Sequence, residues 1–278
     1  MTTIPRIISV DDHVVEPPDL WTSRLPAKYQ DRCPRVERDT AEFNFEGGVF
    51  SFEKGVEGGG MCDWWLYDDL VYPFPKLSAA AGFDELDVVP VTFDDILPAS
   101  WKQKERLVAM DENHVDVSIC FPNVLPRFCG QAFLERDDKD LALLCVKAYN
   151  DWMIDEWCAG DGAGRLIPLT LIPLWNPVAA AAEVHRCAEK GAFAVAFSEN
   201  PYPLGLPSIH DKDRFWDPFF RACEETDTIV NMHIGSSSKM PLSSLVPDPK
   251  RTSLTLNVAS SSRMDGLLRL LVVLRRSK

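Results

Sequence analysis

The sequence predicts an α/β fold, with one parallel sheet whose strands alternate with helices along the chain. Short, nearly continuous apolar runs alternate with longer helical patterns, which is typical of a parallel sheet covered on both faces. Polar residues follow directly after each apolar run, at the strand ends where a (β/α) barrel places its active site. A doubly wound sheet is the alternative, but no glycine-rich phosphate loop follows any of the strands.

The composition is that of an ordinary globular protein, and residues 1–278 are expected to form a single domain. The net charge of −13 argues against nucleic acid and anionic membranes as partners. Eight scattered cysteines without a C-x-x-C pair predict reduced, buried thiols and a cytoplasmic protein. No signal peptide or membrane-spanning stretch is evident.

The first strand is predicted from the β-branched run that begins at Ile7, and it leads directly into Asp11 and His13. Strand residues two apart share a face, so this carboxylate and imidazole project together from the strand's end. Such a pair suits a divalent transition metal, although a hydrogen-bonded acidic turn is the alternative explanation. Glu16 could add an oxygen ligand, but Pro17 favours a turn at that point.

An irregular insertion is predicted over residues 17–97. Within it, residues 41–54 alternate apolar and polar around Gly47 and Gly48, which predicts a hairpin. An aromatic cluster follows, and it forms either a small satellite core or a lid and apolar wall over a pocket. The cluster consists of Trp64, Trp65, Tyr67, Tyr72 and Phe74.

Regular alternation begins after the insertion and yields four further strands, making about five in total. A closed (β/α) barrel needs eight, so the sequence predicts an incomplete barrel. Asn176 is predicted to cap the helix that Pro177 begins. The predicted helices are 101–112, 139–158, 179–189 and 217–225, and the predicted strands are 115–121, 166–171, 193–197 and 228–234.

Several long segments resemble one known family, the amidohydrolase-related metal-dependent barrels, in the branch that includes aminocarboxymuconate-semialdehyde decarboxylase. Together they cover residues 7 to about 262 of the chain. The segments are ISVDDHVVEPPDLW, DVSICFPN, PRFCGQAF, YNDWMIDEWC, LIPLWNP, AFSENPYPLGLPSIHD and NMHIGSSS.

The resemblance implies a TIM-like (β/α) barrel of the metal-dependent hydrolase type, with one divalent metal at the carboxyl ends of the strands. Asp11 and His13 occupy the first-strand ligand pair in its acid-x-His form, and His233 matches the ligand that ends the fifth strand. Zinc is the expected metal, with manganese, iron or cobalt as alternatives. The family's aspartate at the end of the eighth strand has no counterpart here, and the sequence after Asp265 does not resemble the family. Together these departures predict a truncated or frame-shifted gene product.

Other candidate site residues follow from the same resemblance. Glu199 stands where two-metal relatives keep a modified lysine, so a single metal is expected, with Glu199 as a proton carrier, a support for the metal site or a salt-bridge partner. His210 is a catalytic candidate in a family-like loop, although a loop-ordering hydrogen bond is the alternative. From its position after the second strand of the parallel set, Arg127 could grip a substrate carboxylate, with an ordinary surface arginine as the alternative. Asn123 and Asn200 are further substrate-binding candidates.

Two remaining histidines are predicted to be structural. His114 lies at the end of a helix where glycine is usual, and histidine is among the residues that tolerate positive φ. His185 falls in the middle of a predicted helix and is expected to be solvated. Neither histidine is therefore expected to bind a metal.

Three functions remain open from the sequence. In the first, metal-activated water hydrolyses a small amide, lactone or similar carbonyl substrate. In the second, the metal holds a substrate carboxylate for non-oxidative decarboxylation. In the third, the chain is an inactive remnant, or a piece that needs a partner to close its sheet. Open sheet edges predict self-association or a homo-oligomer in each case.

Overall fold

The structure is a computed structural model that describes residues 5–46, 49–85 and 87–237. The predicted departure from the family after Asp265 lies outside the described residues, as does the Gly47-Gly48 turn. The predicted first strand is confirmed as β1 (Ile7–Val14).

The segment predicted to be an irregular insertion contains a four-stranded antiparallel sheet. Its strands are β2 (Arg35–Glu46), β3 (Val49–Lys54), β4 (Gly60–Tyr67) and β5 (Leu70–Pro73), in the order β3-β2-β4-β5. The predicted hairpin is confirmed, since β2 and β3 pair with Ala41 opposite Lys54. The strand β4 has no alternating pattern in the sequence because its residues 62–67 are all buried, and a period of two cannot then be read.

The aromatic cluster of this sheet belongs to the main hydrophobic core. Trp65 meets Trp21 with ring centroids 5.7 Å apart, and Tyr67 meets Phe133 at 5.8 Å. The antiparallel sheet and the α/β part of the chain therefore share one core, and the satellite-core interpretation is wrong. Edge-to-face contacts between large rings contribute to holding the antiparallel sheet against the α/β part.

The α/β part alternates helices and strands as the sequence predicts. Its elements are α1 (Gln103–Glu112), β6 (Val115–Pro122), α2 (Gln131–Leu134), α3 (Lys139–Trp152), β7 (Leu166–Ile167), β8 (Leu169–Thr170), α4 (Pro177–Glu189), β9 (Ala194–Ser198), α5 (Asp217–Glu225) and β10 (Ile229–His233).

Every strand of this part runs parallel to its neighbour, and the neighbours follow one another along the chain. The orders are β1-β6-β7 and β8-β9-β10, and only Pro168 separates β7 from β8. Proline cannot donate to a strand ladder, so one predicted strand, 166–171, is divided into two short pieces. The α/β class and the five predicted strand segments are thereby confirmed. Within the described residues, β1 pairs only with β6 and β10 only with β9, so each is an edge strand of its sheet.

Local signals place several element ends correctly. The Asn176 side chain accepts hydrogen bonds from the backbone N–H groups of Val178 and Ala179, which confirms the predicted cap of α4. His114 has a φ of 60°, as predicted for a histidine that ends a helix. The predicted helix 139–158 is α-helical to Trp152 and continues as a π-helical turn, Met153–Trp157.

All eight cysteines are free and buried, which confirms the prediction from their spacing. His185 is half-exposed and lies 3.4 Å from the Glu225 carboxylate, a surface contact consistent with its predicted structural role. Among the described residues, none of the helices is long and apolar enough to cross a membrane.

Candidate metal centre

The carboxyl ends of β1 and β10 bring Asp11, His13 and His233 together. One potential ligand atom from each of these side chains lies within 4.8 Å of the others. His13 and His233 are held in place by their strands, since His13 pairs with Phe121 of β6 and His233 with Ser198 of β9. The three residues stand at the sheet end where parallel α/β proteins carry their active sites.

The His233 ring directs its Nε2 toward Asp11. Its Nδ1 lies 2.5 Å from the Ile234 carbonyl oxygen, a distance at which Nδ1 must carry the hydrogen and donate it. The Nε2 atom lies 3.2 Å from Oδ1 of Asp11. In the neutral ring Nε2 is then an acceptor that a cation would join to the carboxylate, whereas in the imidazolium form Nε2 itself donates to Asp11. The geometry fits both a bound cation and an ion pair.

The His13 ring supplies a second nitrogen in the form that binds metals. Its Nδ1 is buried and has no hydrogen-bond partner among the described residues. Burial lowers the pKa of His13, and the neighbouring His233 lowers it further, because both disfavour the charged imidazolium. The neutral imidazole is the form of histidine that binds a metal ion.

Two phenylalanines form an aromatic wall around these rings. Phe128 stacks on His233 with ring centroids 4.0 Å apart and meets His13 edge-on at 5.4 Å. Phe121 lies 5.1 Å from His233. The aromatic wall therefore packs against both imidazoles of the cluster. Sequence reasoning missed both residues, although each lies within a segment that resembles the family.

Glu199 lies at the end of β9 and contacts the turn that follows β10. Its carboxylate accepts hydrogen bonds from the Gly235 N–H at 3.1 Å, from the Ser237 hydroxyl at 2.7 Å and from the Ser236 hydroxyl. The described hydrogen bonds of the Glu199 carboxylate therefore connect it to residues 235–237, just after His233. Its predicted catalytic role stays a prediction.

Arg127 lies in the loop after β6, beside Phe128, with a left-handed φ of 56°. Burial lowers the pKa of its guanidinium, whereas negative charges, among them those of Glu135 and Glu199, oppose the shift. A partly desolvated guanidinium at the mouth of the sheet suits recognition of a carboxylate.

The other predicted site residues lie in the loops that follow β6 and β9. The Asn123 side chain donates to the Ser78 carbonyl oxygen, and that of Asn200 accepts from the Tyr202 N–H at 3.3 Å. His210 is exposed, and its backbone N–H donates to Ser208 Oγ at 3.2 Å. Their roles toward a substrate stay predictions.

Glu16 has a structural role that its sequence position did not reveal. Its side chain is fully buried, and it accepts hydrogen bonds from the N–H groups of Asn123, Val124 and Leu125 at 2.8, 3.0 and 3.4 Å. Burial raises the pKa of Glu16 to about 7, against the opposing effect of these hydrogen bonds. Glu16 thereby orders the loop that leads to Arg127 and Phe128.

Parallel strands that gather acidic and imidazole side chains at their carboxyl ends are typical of α/β enzymes, which carry their active sites there. A family model described as amidohydrolase matches residues 64–271, and the chain belongs to this family. The match reaches past Asp265, the point after which the sequence was expected to depart from the family.

A solved amidohydrolase from Mycobacterium avium subsp. paratuberculosis K-10 has a similar fold, with a TM-score of 0.55 and 21% sequence identity. The alignment covers 96% of this chain and 65% of that one, so this chain spans slightly less than two thirds of its solved neighbour. At this identity the likeness supports the fold alone. The comparison with curated proteins found no match.

Proposed function

We propose that this chain is a metal-dependent amidohydrolase in which Asp11, His13 and His233 hold one divalent cation. The observation that carries the proposal is the convergence of their three ligand atoms within 4.8 Å. Zinc binds at about 2.0–2.2 Å from nitrogen and oxygen, so modest side-chain rotation brings the three atoms into its coordination sphere. Two imidazoles and one carboxylate suit zinc, with manganese, iron or cobalt as alternatives.

We further propose that the five parallel strand segments are the first five strands of a TIM-like (β/α) barrel. Their neighbours follow one another in chain order, as barrel strands do. On this reading the first strand supplies Asp11 and His13, and the fifth supplies His233. The fold of the solved neighbour supports the proposal.

The proposed reaction is hydrolysis of a small carbonyl substrate by activated water. When bound, a divalent cation would polarise a carbonyl oxygen and lower the pKa of water toward about 7. Asp11 and the two imidazoles would orient the cation, while Phe121 and Phe128 exclude bulk water from one side. Arg127 would hold a substrate carboxylate in a bidentate contact, with Asn123 and Asn200 as further substrate contacts. Glu199 and His210 remain candidates for moving a proton.

Decarboxylation is a second candidate because the partly buried Arg127 lies in the loop after β6, next to Phe128 of the aromatic wall. That placement suits a substrate that carries a carboxylate next to the reacting carbon. Metal-loaded protein incubated with carboxylated aromatic and amide or lactone substrates separates the two reactions. Carbon dioxide release indicates a carboxy-lyase, and acid or ammonia release indicates a hydrolase. Failure of both reactions would support the inactive-remnant alternative.

The metal site itself is tested by titrating the full chain with zinc and cobalt. We expect one site per chain, and we expect His233→Ala and Asp11→Asn each to weaken binding by at least about tenfold. The matched control is His185→Ala, because this histidine is half-exposed on α4 and contacts Glu225 instead. Unchanged metal affinity in both site variants would overturn the proposal.

Location and partners follow from the same features. Eight free, buried thiols favour a reducing compartment, and we propose the cytoplasm. The strongly acidic chain favours a small-molecule substrate over nucleic acid. Fractionation of the native host, followed by detection of the chain, would test the location.

A further inference from the structure

We infer that Glu199 is a positioning residue for His233, acting through the turn formed by residues 235–237. Glu199 holds this turn, the turn fixes the Ile234 carbonyl, and that carbonyl sets which nitrogen of His233 carries the hydrogen. The inference rests on the proposed function, since it concerns a proposed metal ligand. It assigns Glu199 a role that requires no contact with substrate.

The first link is the set of hydrogen bonds between Glu199 and the turn. The carboxylate accepts from the Gly235 N–H at 3.1 Å, the Ser237 hydroxyl at 2.7 Å and the Ser236 hydroxyl. The Glu199 N–H in turn donates to Ser236 Oγ at 2.9 Å. Hydrogen bonds to a charged acceptor are about twice as strong as neutral ones, so this carboxylate is a firm anchor.

The carbonyl side of the turn has separate anchors. The Ser236 carbonyl oxygen accepts from Ser198 Oγ at 3.2 Å and from Cys129 Sγ at 3.5 Å. The Gly235 carbonyl oxygen accepts from the Gln131 side chain at 3.5 Å. These contacts are longer and uncharged, so loss of Glu199 would loosen the turn without removing all of its supports.

The second link joins the turn to the ring of His233. Ile234 lies between them, and its carbonyl oxygen accepts the Nδ1–H of His233 at 2.5 Å. The Ile234 side chain is 55% exposed, so packing does little to fix this residue. The orientation of its carbonyl is therefore set by the turn that follows it. Outer hydrogen bonds of this kind commonly fix the tautomer of a metal-binding histidine.

The consequence is chemical as well as geometric. With hydrogen on Nδ1, the Nε2 lone pair faces Asp11 Oδ1 at 3.2 Å, where a cation would lie. With hydrogen on Nε2, that nitrogen would be a donor to Asp11 and could not bind a metal. Glu199 would thus hold His233 in its ligating form before any ion arrives.

The tautomer is measured directly in the metal-free full chain by long-range ¹H–¹⁵N correlation NMR, at a pH where the imidazole is neutral. We expect wild-type His233 to carry its hydrogen on Nδ1, and Glu199→Gln to shift it toward Nε2. The control is Glu183→Gln, which changes a hydrogen-bonded carboxylate on α4 that contacts Asn150 of α3 and Arg186 of α4 instead. We expect this control to keep the wild-type tautomer.

Titration with cobalt provides the second measurement. We expect Glu199→Gln to weaken binding by about tenfold to a hundredfold and to alter the cobalt absorption spectrum. Should Glu199→Gln fail to fold, Ser237→Ala removes one of the three hydrogen bonds and is expected to cause smaller changes of the same sign. A wild-type tautomer and cobalt affinity in the folded variants would overturn the inference.

The two proposals fail in distinguishable ways. A wild-type chain that binds no metal would overturn the proposed function, while the tautomer of the metal-free protein would still test Glu199. A wild-type His233 with hydrogen on Nε2 would overturn the role of Glu199, while metal binding could still be found.

Discussion

Glu16 is a buried carboxylate whose surroundings shift its pKa in opposite directions. Three backbone N–H groups of the loop after β6 favour the charged form. Burial outweighs them and raises the pKa of Glu16 to about 7 from its ordinary value of 4.5. At pH values between 4.5 and about 7, Glu16 is therefore protonated in the folded chain and ionised in the unfolded chain.

This proton makes stability depend on pH in a defined direction. Because the folded state binds more protons between pH 4.5 and about 7, the contribution of Glu16 to the free energy of unfolding falls as pH rises through that window. The change amounts to about 3 kcal/mol. We expect Glu16→Gln to remove it, so that the stability difference between wild type and variant shifts by about this amount between pH 5 and 8.

Urea unfolding at a series of pH values checks this expectation. The control is Glu57→Gln, since Glu57 is exposed in the antiparallel sheet region and should leave the wild-type profile unchanged. Parallel profiles for wild type and Glu16→Gln would show that Glu16 does not hold the proton.

At the scale of elements, Asn150 joins two helices to the parallel sheet. Its side chain accepts from the Leu171 N–H at 2.7 Å and donates to the Leu171 carbonyl at 2.9 Å, just after β8. It also donates to Glu183 of α4 at 2.7 Å. Asn150 is a fully buried residue of α3. The short strand β8 ends at Thr170, and the Asn150 side chain supplies hydrogen bonds to the backbone of the next residue, Leu171.

Removal of this side chain should be costly. Asn150→Ala leaves the N–H and carbonyl groups of Leu171 without their buried partner, while Glu183 keeps its contacts with Arg186, and we expect the free energy of unfolding to fall by about 3 kcal/mol. Asn176→Ala, which removes only the partly exposed cap of α4, should cost about 1 kcal/mol. Denaturant midpoints of the two variants provide the comparison. An equal, small loss in both would show that the α3 contact contributes little.

At the scale of the whole molecule, the parallel sheet leaves apolar surface at its edge. In the described part of the chain, β1 pairs with β6 alone, and Ile8 and Val10 are 66% and 62% exposed. An exposed apolar strand edge favours pairing with another chain. The sequence predicted this consequence from the incomplete set of strands.

We therefore expect the chain to associate at micromolar concentration. The double substitution Ile8→Lys with Val10→Lys should reduce the associated mass, because charges on an edge strand oppose pairing. Val178→Lys is the control, since Val178 is similarly exposed but lies on α4. Light scattering coupled to size-exclusion chromatography measures the mass. A sharp monomeric wild-type peak would contradict the expectation.

Much of the fold and part of the site were predictable because their signals are local. Apolar runs between helical patterns predicted the parallel strands, and Asn176 and His114 predicted helix ends, since caps and left-handed residues depend on neighbouring positions. The insertion was misjudged because β4 is buried at all positions from Cys62 to Tyr67 and shows no alternation. A segment that is buried at every position shows no period of two, so its sequence does not distinguish an ordered strand from an irregular segment.

The sequence by itself determined the α/β class, the family resemblance and the candidate ligands Asp11, His13 and His233. Only the tertiary structure decided that these three side chains meet, that Phe128 stacks on His233 and that Glu16 and Glu199 anchor the adjoining loops. The physical reason is sequence distance. A cap or a strand pattern is written in adjacent residues, whereas these contacts join residues tens to hundreds of positions apart, and only the packed sheet brings them together.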